Sequence, residues 1–196
     1  MDIMLASGSP RRRQLLGELG WKFQVEPSRL KETAIAGEKP EEMVCRLAET
    51  KAADVFSRHG SCWVIGADTV VVIDGRVLGK PCCHEEAVSM IELLQGRTHT
   101  VMTGVAVLAP DGRRLVRCGR TEVVFRPLSH EEVRAYVAQG ESMDKAGAYA
   151  IQERGTLLVE RINGCYFNVV ELPLEVLSEM FAELGWPLAE QWRGNK

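Results

Sequence analysis

The sequence predicts an α/β protein built on a mixed β-sheet. Apolar segments of strand character alternate along the chain with amphipathic helical segments. Turn signals at Asp74-Gly75 and at Pro110-Asp111-Gly112 join neighbouring strands into hairpins, and hairpin strands pair antiparallel. The remaining strands are connected through helices, which is typical of parallel pairs. Hairpins combined with helical connections therefore predict a mixed sheet rather than a purely parallel one.

In the first half of the chain, strands and helices are predicted to alternate. Ser9 and Pro10 supply the N-cap and the first position of a helix that ends at Gly20. Apolar residues recur on one face of a second helix, and β-branched residues dominate the longest strand, which returns through Val77 and Leu78. The predicted strands are residues 1–6, 21–26 and 64–73, and the predicted helices are residues 10–20 and 40–58.

The second half continues the alternation. A helix that stops at Gly96 precedes two long strands, and Ser129 with Glu132 forms a capping box at the start of the next helix. A loop punctuated by glycines and one more strand follow, before Pro173 opens a final helix. The predicted helices are residues 85–95 and 129–140, and the predicted strands are residues 98–108, 115–125 and 157–162.

Length and composition predict a single globular domain over residues 1–196. The chain is 45% hydrophobic and 26% charged, with a net charge of -3, which argues against a surface devoted to nucleic-acid polymers or membranes. No apolar run reaches the roughly 18 to 20 residues of a membrane span, and no secretory leader precedes the first strand. The six cysteines contain no zinc-type CxxC pair. We therefore expect a reduced, cytoplasmic protein.

The segment SGSPRRR, residues 7–13, is a candidate anion site. The small residues allow backbone amides to approach a ligand, while the Ser9 hydroxyl and the helix N-terminus direct donors toward it. Three arginines in the first helical turn destabilise a helix unless an anion lies beside them. A bound phosphate would supply that anion. The alternative is a surface helix whose arginines pair with acidic residues elsewhere in the chain.

Four further residues suggest phosphate chemistry. Lys51 lies on the apolar face of the second predicted helix, where its ammonium must reach either water or an anion. Asp68 interrupts a hydrophobic strand, so it is expected to pair with a cation, bind a metal or cap a bulge. The hairpin is expected to return Lys80 to the vicinity of Asp68. Glu32, in a polar loop, could hold Mg²⁺ or Mn²⁺ together with Asp68, although a loop glutamate is more often simply solvated.

A glycine-containing loop, MDKAGAYAIQERG, is a candidate base-binding segment. Its small residues lie between Lys145 and Gln152 and could bring the backbone against a flat ligand. The Gln152 amide offers both a donor and an acceptor to a base edge. A plain connecting loop is the alternative.

Seven segments in this order resemble the Maf family of nucleoside triphosphate pyrophosphatases, over nearly the whole chain. They are LASGSPRR, AETKA, GADTVV, GKP, GRTHTVMTGV, DKAGAYAIQ and NVVELPL. The resemblance implies a two-lobed, ITPase-like α/β fold with an elongated mixed sheet, flanking helices and a central cleft, usually in a homodimer. It also implies hydrolysis of nucleoside triphosphates between the α and β phosphates with a divalent metal, Mg²⁺ or Mn²⁺.

The resemblance assigns roles by motif. Asp68 would accept the proton of the attacking water, and it would lie near the metal with Glu32. Arg11, Thr69 and Gln152 match the branch that acts on dTTP and UTP, whereas the branch that prefers 7-methyl-GTP carries Trp, Gln and Glu there. The residues expected to hold the triphosphate are Ser7, Arg12, Lys51 and Lys80.

Two residues depart from the family pattern. Glu153 and Glu171 stand where the family usually has glycine, and both are expected to add bulk near the base-binding loop. The main functional hypothesis is a dTTP/UTP pyrophosphatase that removes excess or non-standard pyrimidine nucleotides. The alternative is a non-catalytic nucleotide-binding regulator of cell division, which needs the phosphate ligands but not the base. The presence of Asp68 and Glu32 favours the enzyme.

Overall fold

The computed structural model describes residues 2–33 and 35–194 and confirms the α/β class with a mixed sheet and flanking helices. Met1, predicted as the start of the first strand, lies outside the described residues. The strands of the described part are β1 (Ile3–Leu5), β2 (Gln24–Val25), β3 (Trp63–Ile73), β4 (Arg76–Leu78), β5 (Thr98–Leu108), β6 (Arg114–Phe125) and β7 (Val159–Gly164). The α-helices there are α1 (Pro10–Glu18), α2 (Pro40–His59), α3 (His84–Leu94), α4 (His130–Val137), α5 (Tyr166–Val169), α6 (Leu174–Glu183) and α7 (Leu188–Gln191).

The sheet combines parallel and antiparallel pairs, as predicted. Its strand order is β2-β1-β3-β5-β6-β7, and β4 pairs with β3. The strand β1 is parallel to both β2 and β3, whereas the pairs β3–β4 and β6–β7 are antiparallel. Asp74 and Gly75 form the predicted hairpin turn, with φ values of 50° and 74°. The β3–β4 pair is a tight hairpin, whereas β6 and β7 are antiparallel although α4 lies between them in the chain.

Two predicted strands differ from the observed ones. Residues 21–26 were expected to form a strand, but pairing is limited to Gln24 and Val25 because only these residues lie opposite β1. The predicted strand 157–162 begins later, at Val159, because a 3-10 helix occupies Glu153–Leu158. Strand ends depend on partners that are distant in sequence, so local patterns place them poorly.

The chain divides into two compact units. The first consists of Met1–Asp68, Thr103–Gly119 and Glu171–Lys196. The second consists of Thr69–Met102 and Arg120–Val170. The single domain over residues 1–196 stays a prediction, and each unit is described by itself below.

In the first unit, helix α2 lies directly against the sheet. A Cβ on Gly66 would lie 2.2 Å from the carbonyl oxygen of Ala48. A Cβ on Gly104 would lie 2.2 Å from the carbonyl oxygen of Val44. Only glycine permits this approach, so the backbone of α2 is held at a defined depth on β3 and β5. This packing places Lys51 of α2 beside the segment of β3 that ends in Asp68.

In the second unit, aromatic residues support the glycine-containing loop. Tyr149 is buried, its ring contacts His99 and Phe125, and its hydroxyl lies 2.8 Å from His99 Nε2. Gly147 has a φ of +67°, and a Cβ there would lie 2.8 Å from a methyl group of Val71. The loop is therefore a packed part of its unit.

No helix among residues 2–33 and 35–194 combines the length and the apolar character needed to cross a bilayer.

Candidate active site

The N-terminus of α1 forms a compact donor cradle in the first unit. The chain leaves β1 at Leu5 and enters α1 at Pro10, with Ser9 as the N-cap, as predicted. The Ser9 hydroxyl accepts a hydrogen bond from the backbone N–H of Arg12 at 3.5 Å. The Ser9 backbone N–H donates to Ser7 Oγ at 3.2 Å. The local sequence therefore builds the helix start and the loop before it as one hydrogen-bonded structure.

Arg12 joins three segments of the first unit. Its side chain is buried, and Nη1 donates to Ser7 Oγ and to the carbonyl oxygen of Ala67, both at 2.9 Å. Its Nε donates to the carbonyl oxygen of Glu171 at 2.9 Å. Burial lowers the pKa of Arg12, and the charges of Glu171 and Asp68 oppose that effect. Arg12 thus holds a positive charge at the end of β1, beside β3.

The anion beside Arg11 is an internal carboxylate. Glu171 accepts hydrogen bonds from Arg11 Nη2 at 2.5 Å and from the Ser9 hydroxyl at 2.7 Å. Burial alone would raise the pKa of Glu171, but the charges of Arg12 and Arg11 hold this pKa below its usual value. Arg11 therefore pairs with an acidic residue elsewhere in the chain, as the alternative stated for the arginines, and a phosphate at this helix start stays a prediction. Arg13 is exposed.

The expected location of Glu171 near the base-binding loop stays a prediction, because the two belong to different units. Its carboxylate lies at the N-terminus of α1 in the first unit, whereas Glu153 is exposed beside Gln152 in the second. Glu171 has a φ of +80° and Glu153 a φ of +55°. Both backbones are left-handed, a conformation that glycine adopts without strain, which is a physical reason for the family's glycines. The pairing of Glu171 with Arg11 and Ser9 was not predicted, because these partners are about 160 residues away in sequence.

Lys51, Asp68 and Glu32 form the second cluster of the first unit. Lys51 Nζ lies 2.6 Å from Asp68 Oδ1 and 2.7 Å from Glu32 Oε1. Asp68 is buried, whereas the Glu32 side chain is 59% exposed. Burial raises the pKa of Asp68, and the charges of Lys51 and Arg12 oppose this rise. Of the two outcomes left open for the Lys51 ammonium, water or an anion, the structure shows contact with anions.

These features suit proton abstraction beside a charged ligand. A buried carboxylate with a raised pKa, kept ionised by a neighbouring ammonium, is a common form of general base. The described residues contain no cluster of three or more His, Cys, Asp and Glu side chains that could hold a metal alone. Asp68 and Glu32 nevertheless share one cation, the Lys51 ammonium. Hard divalent ions accept such a pair when phosphate and water oxygens complete the coordination.

Three candidate residues belong to the second unit. Lys80 is exposed and follows β4 by two residues, and continuing the Val71–Leu78 register would place it opposite Thr69. Thr69 and Gln152 are half-buried, and Gln152 precedes the 3-10 helix Glu153–Leu158. Their roles in substrate binding stay predictions.

Comparison with known proteins shows similarity over almost the whole chain. The family model described as "Maf-like protein" matches residues 2–184. A dTTP/UTP pyrophosphatase of Pelotomaculum thermopropionicum is 49% identical over 186 residues, which cover 94% of this chain and 97% of that protein. A dTTP/UTP pyrophosphatase of Moorella thermoacetica is 51% identical over 184 residues, covering 93% of this chain and 95% of that protein.

A solved structure, a HAM1 protein from Coxiella burnetii, shares the fold. It superposes with a TM-score of 0.51 at 15% sequence identity, over 93% of this chain and 99% of that one. At this identity the likeness extends to the fold alone.

Proposed function

Because the chain belongs to the Maf family, we propose that it is a nucleoside triphosphate pyrophosphatase that hydrolyses dTTP and UTP. The products are the nucleoside monophosphate and pyrophosphate. Relatives that carry this name are about half identical to the chain over almost its full length, which supports the assignment. Its role is to remove excess or non-standard pyrimidine nucleotides from the nucleotide pool.

The observation that carries this proposal is the buried Asp68 carboxylate in contact with the Lys51 ammonium. Asp68 accepts a proton from water while the water oxygen forms a bond to the α phosphorus. The bond from the α phosphorus to the bridging oxygen breaks, and pyrophosphate leaves with the bonding electrons. The raised pKa of Asp68 supports its role as the base, because a more basic carboxylate takes a proton more readily.

Positive charge next to Asp68 stabilises the phosphates. Arg12 and Lys51 neutralise the charge that develops on the phosphate oxygens, and the Ser7 hydroxyl donates a hydrogen bond to them. The family resemblance also assigns Lys80 to triphosphate binding. These cations position the substrate for attack, and positioning with charge neutralisation supplies most of the rate in such reactions.

A divalent ion, Mg²⁺ or Mn²⁺, fits the pair of carboxylates Asp68 and Glu32. Both already contact one cation, Lys51, and both offer the oxygen ligands that hard ions prefer. The bound ion would supply charge neutralisation on the triphosphate. Because Glu32 is largely exposed, it can turn from Lys51 to such an ion without leaving a buried charge unpaired.

Base selection is assigned to Arg11, Thr69 and Gln152, which match the pyrimidine branch by motif. The amide of Gln152 can pair with the donor and acceptor edge of uracil or thymine. We further propose a cytoplasmic homodimer that contacts neither membranes nor nucleic-acid polymers, in keeping with the resemblance.

The test is pyrophosphate release from dTTP, UTP and 7-methyl-GTP by the native protein and by Asp68→Asn. We expect release from dTTP and UTP, and a loss of about 10²-fold to 10⁴-fold in Asp68→Asn, the usual contribution of a general base. The matched control is Asp111→Asn, because the described contacts of the Asp111 carboxylate are to Arg113 alone, to its backbone N–H and its exposed side chain, on a surface turn in the same unit. Tight nucleotide binding without release would instead favour the non-catalytic regulator.

A further inference from the structure

The carboxylate of Glu171 lies among donor groups of the kind that also bind phosphate oxygens. Its two oxygens accept hydrogen bonds from the Ser9 hydroxyl and from Arg11 Nη2, at the N-terminus of α1. A hydroxyl, an arginine fork and a helix N-terminus are the donors that proteins use for phosphate groups. The Glu171 side chain is only 14% exposed, so its contacts are shielded from water.

The backbone at this position is itself unusual. Glu171 has a φ of +80°, which strains any residue with a Cβ. Such strain persists where surrounding contacts hold the residue in place. Here those contacts are the hydrogen bonds of Arg12 to the Glu171 carbonyl oxygen and of Ser9 and Arg11 to its carboxylate.

The charges of the two clusters cancel. Three cations, Arg11, Arg12 and Lys51, are balanced by three carboxylates, Glu32, Asp68 and Glu171, so that the formal sum is zero. A nucleoside triphosphate carries several negative charges. Removing one carboxylate would leave the site with a net charge of +1, and close charges in a partly buried site interact strongly.

We propose that Glu171 is an internal counter-anion, which competes with the substrate's phosphates for Ser9 and Arg11 and so weakens triphosphate binding. Arg11, which the motif assigns to base selection, then also contacts a phosphate. This inference rests on the proposed function. Phosphate oxygens reach these donors only when the carboxylate turns away from them. The residue thus sets substrate affinity through the charge of the cradle.

A positioning role for Glu171 predicts the opposite sign. If its carboxylate served to orient Arg11 for the substrate, then removing its charge would weaken binding. If it is a counter-anion, removing the charge strengthens binding. The direction of the change in affinity therefore separates the two roles. A variant with a damaged structure would bind the phosphates more weakly, so a gain in affinity cannot come from misfolding.

The experiment measures binding of inorganic tripolyphosphate by isothermal titration calorimetry, together with KM and kcat for UTP. The variants are Glu171→Gln, which keeps the shape of the side chain, and Glu171→Gly, which also relieves the positive φ. We expect the Kd of tripolyphosphate and the KM of UTP to fall about tenfold in both variants. This gain should shrink as the salt concentration rises from about 0.05 M to about 0.5 M, because salt screens the added charge.

The matched control is Glu179→Gln. Glu179 is 71% exposed and lies 3.4 Å from Arg117, in the same unit, so the variant loses the same charge outside the cradle. The inference is overturned if the Glu171 variants bind tripolyphosphate as the native protein does or more weakly. It is also overturned if their affinity rises only as much as in the control. Tripolyphosphate binding is measured without catalysis. The counter-anion can therefore be upheld or rejected even if the native protein releases no pyrophosphate from UTP, an outcome that would count against the proposed function alone.

Discussion

Replacing Lys51 with methionine tests the pairing at the centre of the site. The Lys51 ammonium lies 2.6 Å from Asp68 Oδ1, and the two side chains are 15% and 11% exposed. Removing one partner of a buried ion pair costs about 3–5 kcal/mol, because the other charge is left without compensation. The partial exposure of Lys51 and the positive charge of Arg12 reduce this cost. We therefore expect Lys51→Met to lower the free energy of unfolding by about 2–3 kcal/mol at pH 7.

The pH dependence of this loss has a definite sign. Burial raises the pKa of folded Asp68 above its unfolded value, and Lys51 opposes this rise, so that Lys51→Met raises the pKa further. The folded state then binds more protons than the unfolded state above about pH 4, and stability falls as the pH rises. Lys51→Met should therefore be most destabilised near neutral pH and approach the native protein near pH 4.

The assay is urea unfolding in a metal-free buffer, followed by tryptophan fluorescence between pH 4 and pH 8. The double variant Lys51→Met/Asp68→Asn should recover about 1–2 kcal/mol relative to Lys51→Met, since it no longer buries an unpaired carboxylate. The matched control is Lys39→Met, because Lys39 and Glu42 are exposed and 3.9 Å apart, and its effect should stay within about 0.5 kcal/mol. A Lys51→Met protein as stable as the control, or a double variant no more stable than Lys51→Met, would refute the reasoning.

Two further predictions concern residues on either side of this pair in the sequence. Arg12→Lys keeps the charge but loses the guanidinium group that donates a hydrogen bond to Ser7. Urea unfolding should therefore show a free energy of unfolding about 1–3 kcal/mol below that of the native protein. A variant as stable as the native protein would contradict the structural role described for Arg12. Burial lowers the pKa of His99 to about 4, below its unfolded value of about 6.5. The free energy of unfolding of the native protein is therefore expected to fall by about 3 kcal/mol between pH 6.5 and pH 4, relative to that of His99→Gln. Parallel pH curves for the two proteins would disprove this prediction.

Local chemistry made several elements predictable. The start of α1 follows from Ser9 and Pro10, whose cap geometry depends on neighbours within four residues. The β3–β4 hairpin follows from the turn at Asp74 and Gly75 in the same way. The cluster of Lys51 with Asp68 was predictable only in part. A lysine on an apolar helix face must reach either water or an anion, and which of the two it meets depends on how deeply α2 packs on β3.

The sequence by itself determined the family, the α/β class, the helix starts and the residue types of a phosphate site, because these depend on composition, short-range periodicity and motif order. Only the tertiary structure decided which charges meet. Glu171 lies 160 residues from Arg11 in the chain, and no local pattern predicts that its carboxylate pairs with Arg11 at the N-terminus of α1. Electrostatic pairing acts through space over a few ångströms, so it becomes defined only when packing has brought distant segments together.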